Sequence, residues 1–238
     1  MKYRVNINGI DVDADYSDET IKNILEPLLL RLADMRKEKG RRILVMLAAP
    51  PGAGKSTLAS FLEHYSKEFL ENTKVQAIGM DGFHRRQEYL TSHETEVDGV
   101  KMPMVRIKGA PVTFDLEGLN SKIKQVAAGE NCGWPSYDRH LHNPVEDAIQ
   151  VEGDIVILEG NYLLLDEVLW RDLKEMADYT IFIRGDATDL RSRLIDRKEA
   201  SGNPRKKAEE FVDFSDMRNV RLCLEHSLKA DLELKLTL

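Results

Sequence analysis

The segment Ala49-Pro50-Pro51-Gly52-Ala53-Gly54-Lys55-Ser56-Thr57 has the residue types and spacing that hold the phosphates of a nucleoside triphosphate. Small residues at Gly52, Ala53 and Gly54 let successive backbone N–H groups turn inward around a β-phosphate. A helix opening at Lys55 adds its dipole and its unpaired donors. Lys55 reaches the β- and γ-phosphates, the Ser56 hydroxyl is a ligand for Mg²⁺, and Thr57 closes the motif. The first position is Ala49 where the strict pattern has Gly. That variant costs little, because the strand-to-helix setting and Gly54-Lys55-Ser56 carry the physics.

A second residue placed for chemistry is Asp81, which follows the strand-like segment Val75–Met80 and precedes Gly82-Phe83-His84. An acidic residue at the C-terminal end of a parallel strand points into the crevice where ligands bind. There it can accept the proton of a hydroxyl attacking a γ-phosphate. The alternative is an Asp that caps the next element or opens a turn with Gly82. Position alone leaves both open. His84 can line the same pocket. His140 and His142 flank Leu141, so at most one of them faces it, and the three histidines lack the spacing of a zinc site.

These residues need elements to hold them. Ile43–Ala48 is a continuous apolar run, the mark of a strand buried on both faces, and a helix follows from Lys55. Val75–Met80, Ile155–Leu158 and Tyr179–Ile183 read as further strands. Asp115–Ala128, Thr188–Ala200 and Ser215–Ala230 read as helices. Strands alternating with helices predict an α/β fold of the P-loop NTPase type, a parallel sheet with helices on both faces. Arg85–Pro111 has little periodicity and reads as loops over the sheet edge. At the N-terminus, Tyr3, Val5 and Ile7 alternate, then Asn8-Gly9, then Ile10, Val12 and Ala14. A two-residue turn pairs Ile7 with Ile10, Val5 with Val12 and Tyr3 with Ala14, which puts all six on one face of a hairpin. Ser17–Lys39 is a helix capped by Ser17 and kinked or split at Pro27. Leu232, Leu234, Leu236 and Leu238 alternate as a strand, expected to join the hairpin in a small β appendage.

The ordered set of segments resembles the uridine kinase, phosphoribulokinase and bacterial pantothenate kinase group. The phosphate loop and the Asp81-Gly82-Phe83 strand end are similar to that group. So are Lys108-Gly109-Ala110-Pro111-Val112-Thr113-Phe114-Asp115, Trp134-Pro135-Ser136-Tyr137-Asp138-Arg139 and Ile155-Val156-Ile157-Leu158-Glu159-Gly160. The match in order and spacing runs from about Ile43 to Arg197. The resemblance implies a kinase that binds ATP and Mg²⁺ and phosphorylates a hydroxyl of a small molecule: a sugar or polyol, a pantothenate-like compound or a nucleoside. It implies Asp81 as base, Glu159 beside the metal, and Tyr137 and Arg139 against the acceptor, with His84 and His142 as further pocket candidates. The bland alternatives are a helix-start carboxylate for Glu159 and an exposed loop for Tyr137 and Arg139. In this group a lid supplies arginines to the phosphates, which points to Arg193 or Arg197, four apart on one helix face. A solvated basic face paired with Asp189, Asp196 and Glu199 would explain them equally. The expected division is a hairpin and helix over residues 1–40, a kinase core over 41–231 and a terminal strand over 232–238, the hairpin and the strand lying outside the shared pattern. The core would carry an acceptor insert near 82–150 and a lid near 186–210.

Bulk properties narrow the classes. With 34 Lys and Arg against 41 Asp and Glu the formal charge is −7, which argues against a chain-wide nucleic-acid or membrane surface. Cys132 and Cys223 form no metal-spaced cluster and suit a reducing, cytoplasmic setting. A GTPase-type switch would need an Asn-Lys-x-Asp segment, which the sequence lacks; an NTPase without a small-molecule acceptor stays open. A homodimer is left open too, since edge strands pair within one chain or across two.

Overall fold

The computed structural model describes residues 1–7 and 9–235; Asn8 of the expected turn and Leu236 and Leu238 of the expected strand lie outside them. Strands β1 (Lys2–Ile7) and β2 (Ile10–Asp15) form the hairpin in the register that the alternation requires, with Ile7 opposite Ile10, Val5 opposite Val12 and Tyr3 opposite Ala14. The chain then runs through α1 (Asp18–Thr20), a π-helical turn (Ile21–Leu25) and α2 (Glu26–Lys39). Pro27 does not split this helix. It has no N–H to offer, and the wide turn just before it is closed by Glu26 N–H on the Ile21 carbonyl. Ser17 caps the start by accepting from the Thr20 N–H, and Gly40 ends it in the left-handed region at φ 63°.

The remaining elements are β3 (Ile43–Ala48), α3 (Lys55–Phe69), β4 (Val75–Gly79), α4 (Gln87–Ser92), β5 (Glu94–Val97) and β6 (Val100–Pro103). They continue with α5 (Leu116–Ala127), β7 (Cys132–Asp138), β8 (Asn143–Val151), β9 (Ile155–Gly160), β10 (Tyr179–Arg184), α6 (Ala187–Ala200), α7 (Arg205–Phe211), α8 (Met217–Glu225) and β11 (Leu232–Lys235). Five strands make one parallel sheet in the order β11-β10-β3-β9-β4. Every residue of β3 is buried. Ile43, Val45 and Leu47 enter a core with Leu28, Leu29 and Leu32 of α2 and Phe61 of α3. Leu44, Met46 and Ala48 enter the opposite core with Leu119, Ile123 and Val126 of α5. The period-two alternation of one strand thus feeds both layers. The hairpin lies on α3: the Tyr3 and Ser60 hydroxyls share a 2.8 Å hydrogen bond, and the Tyr3 ring meets Phe61 edge-on.

Three expectations are corrected. The C-terminal strand does not join the hairpin. β11 pairs in parallel with β10, Leu232 opposite Ile181 and Leu234 opposite Ile183. There it covers an edge of the main sheet and buries Leu234, whereas the hairpin already spends its apolar face on α3. The last helix begins ten residues earlier than the apolar pattern shows and stops at Glu225. Arg205–Glu225 is one helical path with a π turn at Val212–Asp216, and its first turns are too charged to display a stripe. Arg85–Pro111 is not only loop, since it contains α4 and the β5–β6 hairpin. The β7–β8 hairpin was also unanticipated; its ladder shifts register between Trp134 and Ser136, where Pro135 has no N–H to donate.

Candidate active site

β3 delivers the chain to the phosphate loop at its C-terminal end, and α3 begins directly after it at Lys55. Gly52 and Gly54 both adopt positive φ, 81° and 82°. A Cβ at Gly52 would also lie 3.2 Å from Cγ of Leu194, because α6 packs over the loop. The neighbouring strand β9 carries Glu159 one residue before its end, and that residue is buried. It accepts the Ser56 hydroxyl at 2.8 Å and faces the Lys55 ammonium at 3.9 Å. Glu159 therefore starts no helix; it is a strand residue bonded to the end of the phosphate loop.

β4 ends at Gly79, opposite Glu159 in the ladder, and a 3-10 turn over Met80–Phe83 carries Asp81 into the crevice. The glycines of the two strand ends are sterically required. A Cβ at Gly82 would fall 2.0 Å from the Pro135 carbonyl oxygen, and one at Gly160 would fall 2.3 Å from Met80 Sδ. Trp134, fully buried, donates its indole N–H to the Gly79 carbonyl at 2.8 Å. That bond ties the β7–β8 hairpin to the turn that bears Asp81. Among the described residues the Asp81 carboxylate caps nothing: the His84 N–H and ring bond instead to its backbone carbonyl, at 3.1 and 2.8 Å. Because a carbonyl only accepts, His84 holds its proton on Nδ1 and leaves Nε2 free to accept. The His84 ring lies between Phe114 and Tyr137, at centroid distances of 4.1 and 5.0 Å.

One cavity of about 320 Å³ gathers Lys55, Asp81, His84, Tyr137, Arg139, His142 and Arg197. Every acceptor-side residue expected from the sequence lines it, and Tyr137 and Arg139 are half-buried there rather than on a free loop. Ser56 and Glu159 line an adjoining cavity that also reaches Asp81 and is walled by Asn6 and Ile7 of the hairpin. Arg193 does not share the site of Arg197. It lines a separate cavity with Ala53, Gly185, Asp186 and Asp189 on the other side of the phosphate loop. Sequence reasoning missed Asn161, Asp216 and Asn219 as lining residues. Lys108 and Lys198 stood in quoted segments without an assigned role. For Asp216 and Asn219 no local pattern gives a signal, since they reach the cavity only through the path of α7 and α8.

The electrostatics divide the two acids. Desolvation pushes the Asp81 carboxyl up, but His84, Lys55, Arg139 and Arg197 together outweigh it and hold it below the usual carboxylate range. Glu159 goes the other way: desolvation raises it and Asp81 adds to the rise, against the pull of Lys55 and Ser56. Asp81 therefore stays ionised at pH 7, and an ionised carboxylate can accept a proton. Burial pushes His84 below its ordinary value, so its ring is neutral at pH 7.

The model of the phosphoribulokinase/uridine kinase family matches residues 44–200. The chain belongs to that family. As a member it is a P-loop kinase that uses ATP, and the matched stretch runs from β3 to the end of α6, with the hairpin, α2 and β11 outside it. The kinase is 42% identical over 238 residues to Escherichia coli "Uncharacterized protein YggC", covering 100% of this chain and 96% of that one. It is 31% identical over 173 residues to a uridine kinase of Clostridium perfringens, 72% of this chain and 74% of the relative. Among solved structures it is similar to the "putative fructose transport system kinase" of Silicibacter sp. TM1040, with a TM-score of 0.78, 30% identity, and coverage of 88% of this chain and 98% of that one.

Proposed function

We propose that this kinase transfers the γ-phosphoryl group of ATP to a hydroxyl of a small metabolite, with a sugar or other polyol as the favoured class. The observation that carries the reading is the convergence of Lys55, Asp81 and Arg197 on the cavity that His84, Tyr137, Arg139 and His142 also line. The similarity to the fructose transport system kinase supports a sugar acceptor over a nucleoside.

Each residue then has a task. Gly52, Ala53 and Gly54 present backbone N–H groups to the phosphates, Lys55 neutralises them, and Thr57 anchors the first turn of α3. Asp81 orients the acceptor hydroxyl and takes its proton, a role its ionised state permits. His84 and Tyr137 form one wall against the acceptor, and Arg139 and His142 line it further. Arg197 is the lid arginine that faces the moving phosphoryl group. Arg193, beside Ala53, serves the nucleotide's far end. Transfer of this kind depends mostly on positioning and charge stabilisation, so residues that hold geometry carry the rate.

The residues present fit Mg²⁺. Ser56 and Glu159 offer hard oxygen atoms 2.8 Å apart, and among the described residues no cluster of three His, Cys, Asp or Glu forms a cage. That donor set suits an ion that keeps waters and takes phosphate oxygens. When bound, it would neutralise charge on the β- and γ-phosphates. Among the described residues no helix is long and apolar enough to cross a membrane, and Cys132 and Cys223 are free thiols.

The test is ADP release from ATP, measured with and without sugars, polyols, nucleosides and pantothenate. Acceptor-dependent release is expected. Release that ignores every acceptor would favour an NTPase, and nucleotide binding without turnover would overturn the reading.

A further inference from the structure

The acceptor cavity holds more positive charge than its tasks toward ATP require. Five basic side chains line it, Lys55, Lys108, Arg139, Arg197 and Lys198, against two carboxylates, Asp81 and Asp216. Three of the five are accounted for. Lys55 faces Glu159 at 3.9 Å and serves the phosphate loop. Lys198 pairs with Asp216 at 3.8 Å and lies over the Phe211 ring. Arg197 follows on the same helix, with Asp216 and Asp81 near it.

Lys108 and Arg139 are different. Neither has a carboxylate within ion-pair distance among the described residues. The Lys108 ammonium donates to Gln87 Oε1 at 2.9 Å and to the His142 carbonyl at 3.0 Å, two neutral acceptors, and it sits 4.9 Å from the Tyr137 ring centre. The Arg139 Nε is buried without a hydrogen-bond partner, and the guanidinium lies near Arg197 and Lys198, which carry its own sign, with Asp81 as the carboxylate it shares with Arg197. Both cations border His84, on the insert that contributes nothing to the phosphate loop. Burial pushes Lys108 down to about 8, the response of an ammonium that lacks a counter-charge. A half-desolvated cation is costly unless an anion meets it, and the protein supplies none to Lys108 and to Arg139 only Asp81, which Lys55 and Arg197 share.

We infer that the acceptor itself carries an anionic oxygen group, a phosphate ester or a carboxylate, held by Lys108 and Arg139 while a hydroxyl of the same molecule rests at Asp81. The inference rests on the kinase reading for the hydroxyl, but the anion subsite is testable without turnover. The substrate class becomes acidic polyols, sugar phosphates or sugar acids, and neutral sugars become poor substitutes.

Isothermal titration of the ADP-saturated protein with matched pairs separates the cases: fructose against fructose 6-phosphate, and glycerol against glycerate. The anionic member of at least one pair should bind about tenfold or more tightly than its neutral partner. Preference within the first pair identifies a phosphate ester, and within the second a carboxylate. Lys108→Gln and Arg139→Gln should each weaken that anion by about tenfold, with ADP affinity within about twofold of the parent as the check on folding. Equal affinity within both pairs, or no binding of either anion at about 10 mM, overturns the inference. ADP release measured separately on the same compounds reads the kinase assignment. Turnover that favours the neutral sugars would leave that assignment standing and sink the anion subsite alone.

Discussion

The two sides of the cavity are built from different material. The nucleotide side rests on β3 and β9, whose residues are all buried, and on α3, which starts at the loop itself. The acceptor side rests on scattered pieces: the 3-10 turn that bears Asp81, the Lys108 loop, the end of β7 with Arg139 just beyond it, and residues between Arg197 of α6 and Asn219 of α8. In the proposed reading the first side does chemistry common to any nucleoside triphosphate and is fixed by backbone geometry. The second would choose the acceptor, through side chains such as Lys108 and Arg139 that no backbone rule dictates.

The strongest way to break this contrast is at the loop. Lys55→Ala should cost about 10³-fold or more in turnover, with the circular dichroism spectrum unchanged. Retained turnover and nucleotide affinity would remove the site assignment. Next comes the joint between the two sides. Gly82→Ala pushes a methyl into the Pro135 carbonyl, so the β7–β8 hairpin must shift and acceptor turnover should fall by about 10²-fold, since misplacement by about 1 Å costs that much. Nucleotide affinity should stay near the parent value, and a loss of both would mean the two sides are less separable than described.

A smaller effect separates the two arginines. Arg197→Ala should lower kcat with little change in the KM for ATP, and Arg193→Ala should raise that KM with kcat nearly retained, each by about tenfold. The reverse pattern would exchange their sides. Trp134→Phe removes the donor to Gly79 and should cost about 1–3 kcal/mol in denaturant titration, because the carbonyl is left unpaired. The mildest prediction concerns pH. Lys108 is charged below about 8 and loses its charge above it. The side chains His84, Tyr137 and Gln87 beside it do not change charge between pH 7 and 9: His84 lies below its ordinary value, Tyr137 is raised above its own, and Gln87 does not titrate. The KM for a carboxylate acceptor should therefore rise severalfold from pH 7 to 9, and Lys108→Gln should flatten the rise.

How much of this was legible in the sequence follows the same division. Ile43–Ala48 reads as a buried strand because all six residues are apolar, and it is one. The hairpin register from Tyr3 to Ala14 follows from alternation and an Asn-Gly turn, two local signals that agree. Leu232 and Leu234 declare a strand, but its partner is decided by which sheet edge is open, a fact of the assembled fold. The β7–β8 hairpin hides because Gly133 and Pro135 interrupt its alternation. Arg193 and Arg197 share a helix face, yet one turn moves a side chain about 6 Å along the axis. That step, across the place where Leu190 and Leu194 meet Gly52, puts them in separate cavities. Asp81 was ambiguous from sequence, and the detail that bears on it is that its carboxylate caps nothing while four cationic or titratable groups surround it.

The most direct measurement is acceptor-dependent ADP release by Asp81→Asn, with ATP affinity determined on the same preparation. The account predicts a fall in kcat of about 10²- to 10⁴-fold with ATP binding within about threefold of the parent. Unchanged turnover at normal ATP affinity would contradict it, since the residue placed to take the proton would then take none.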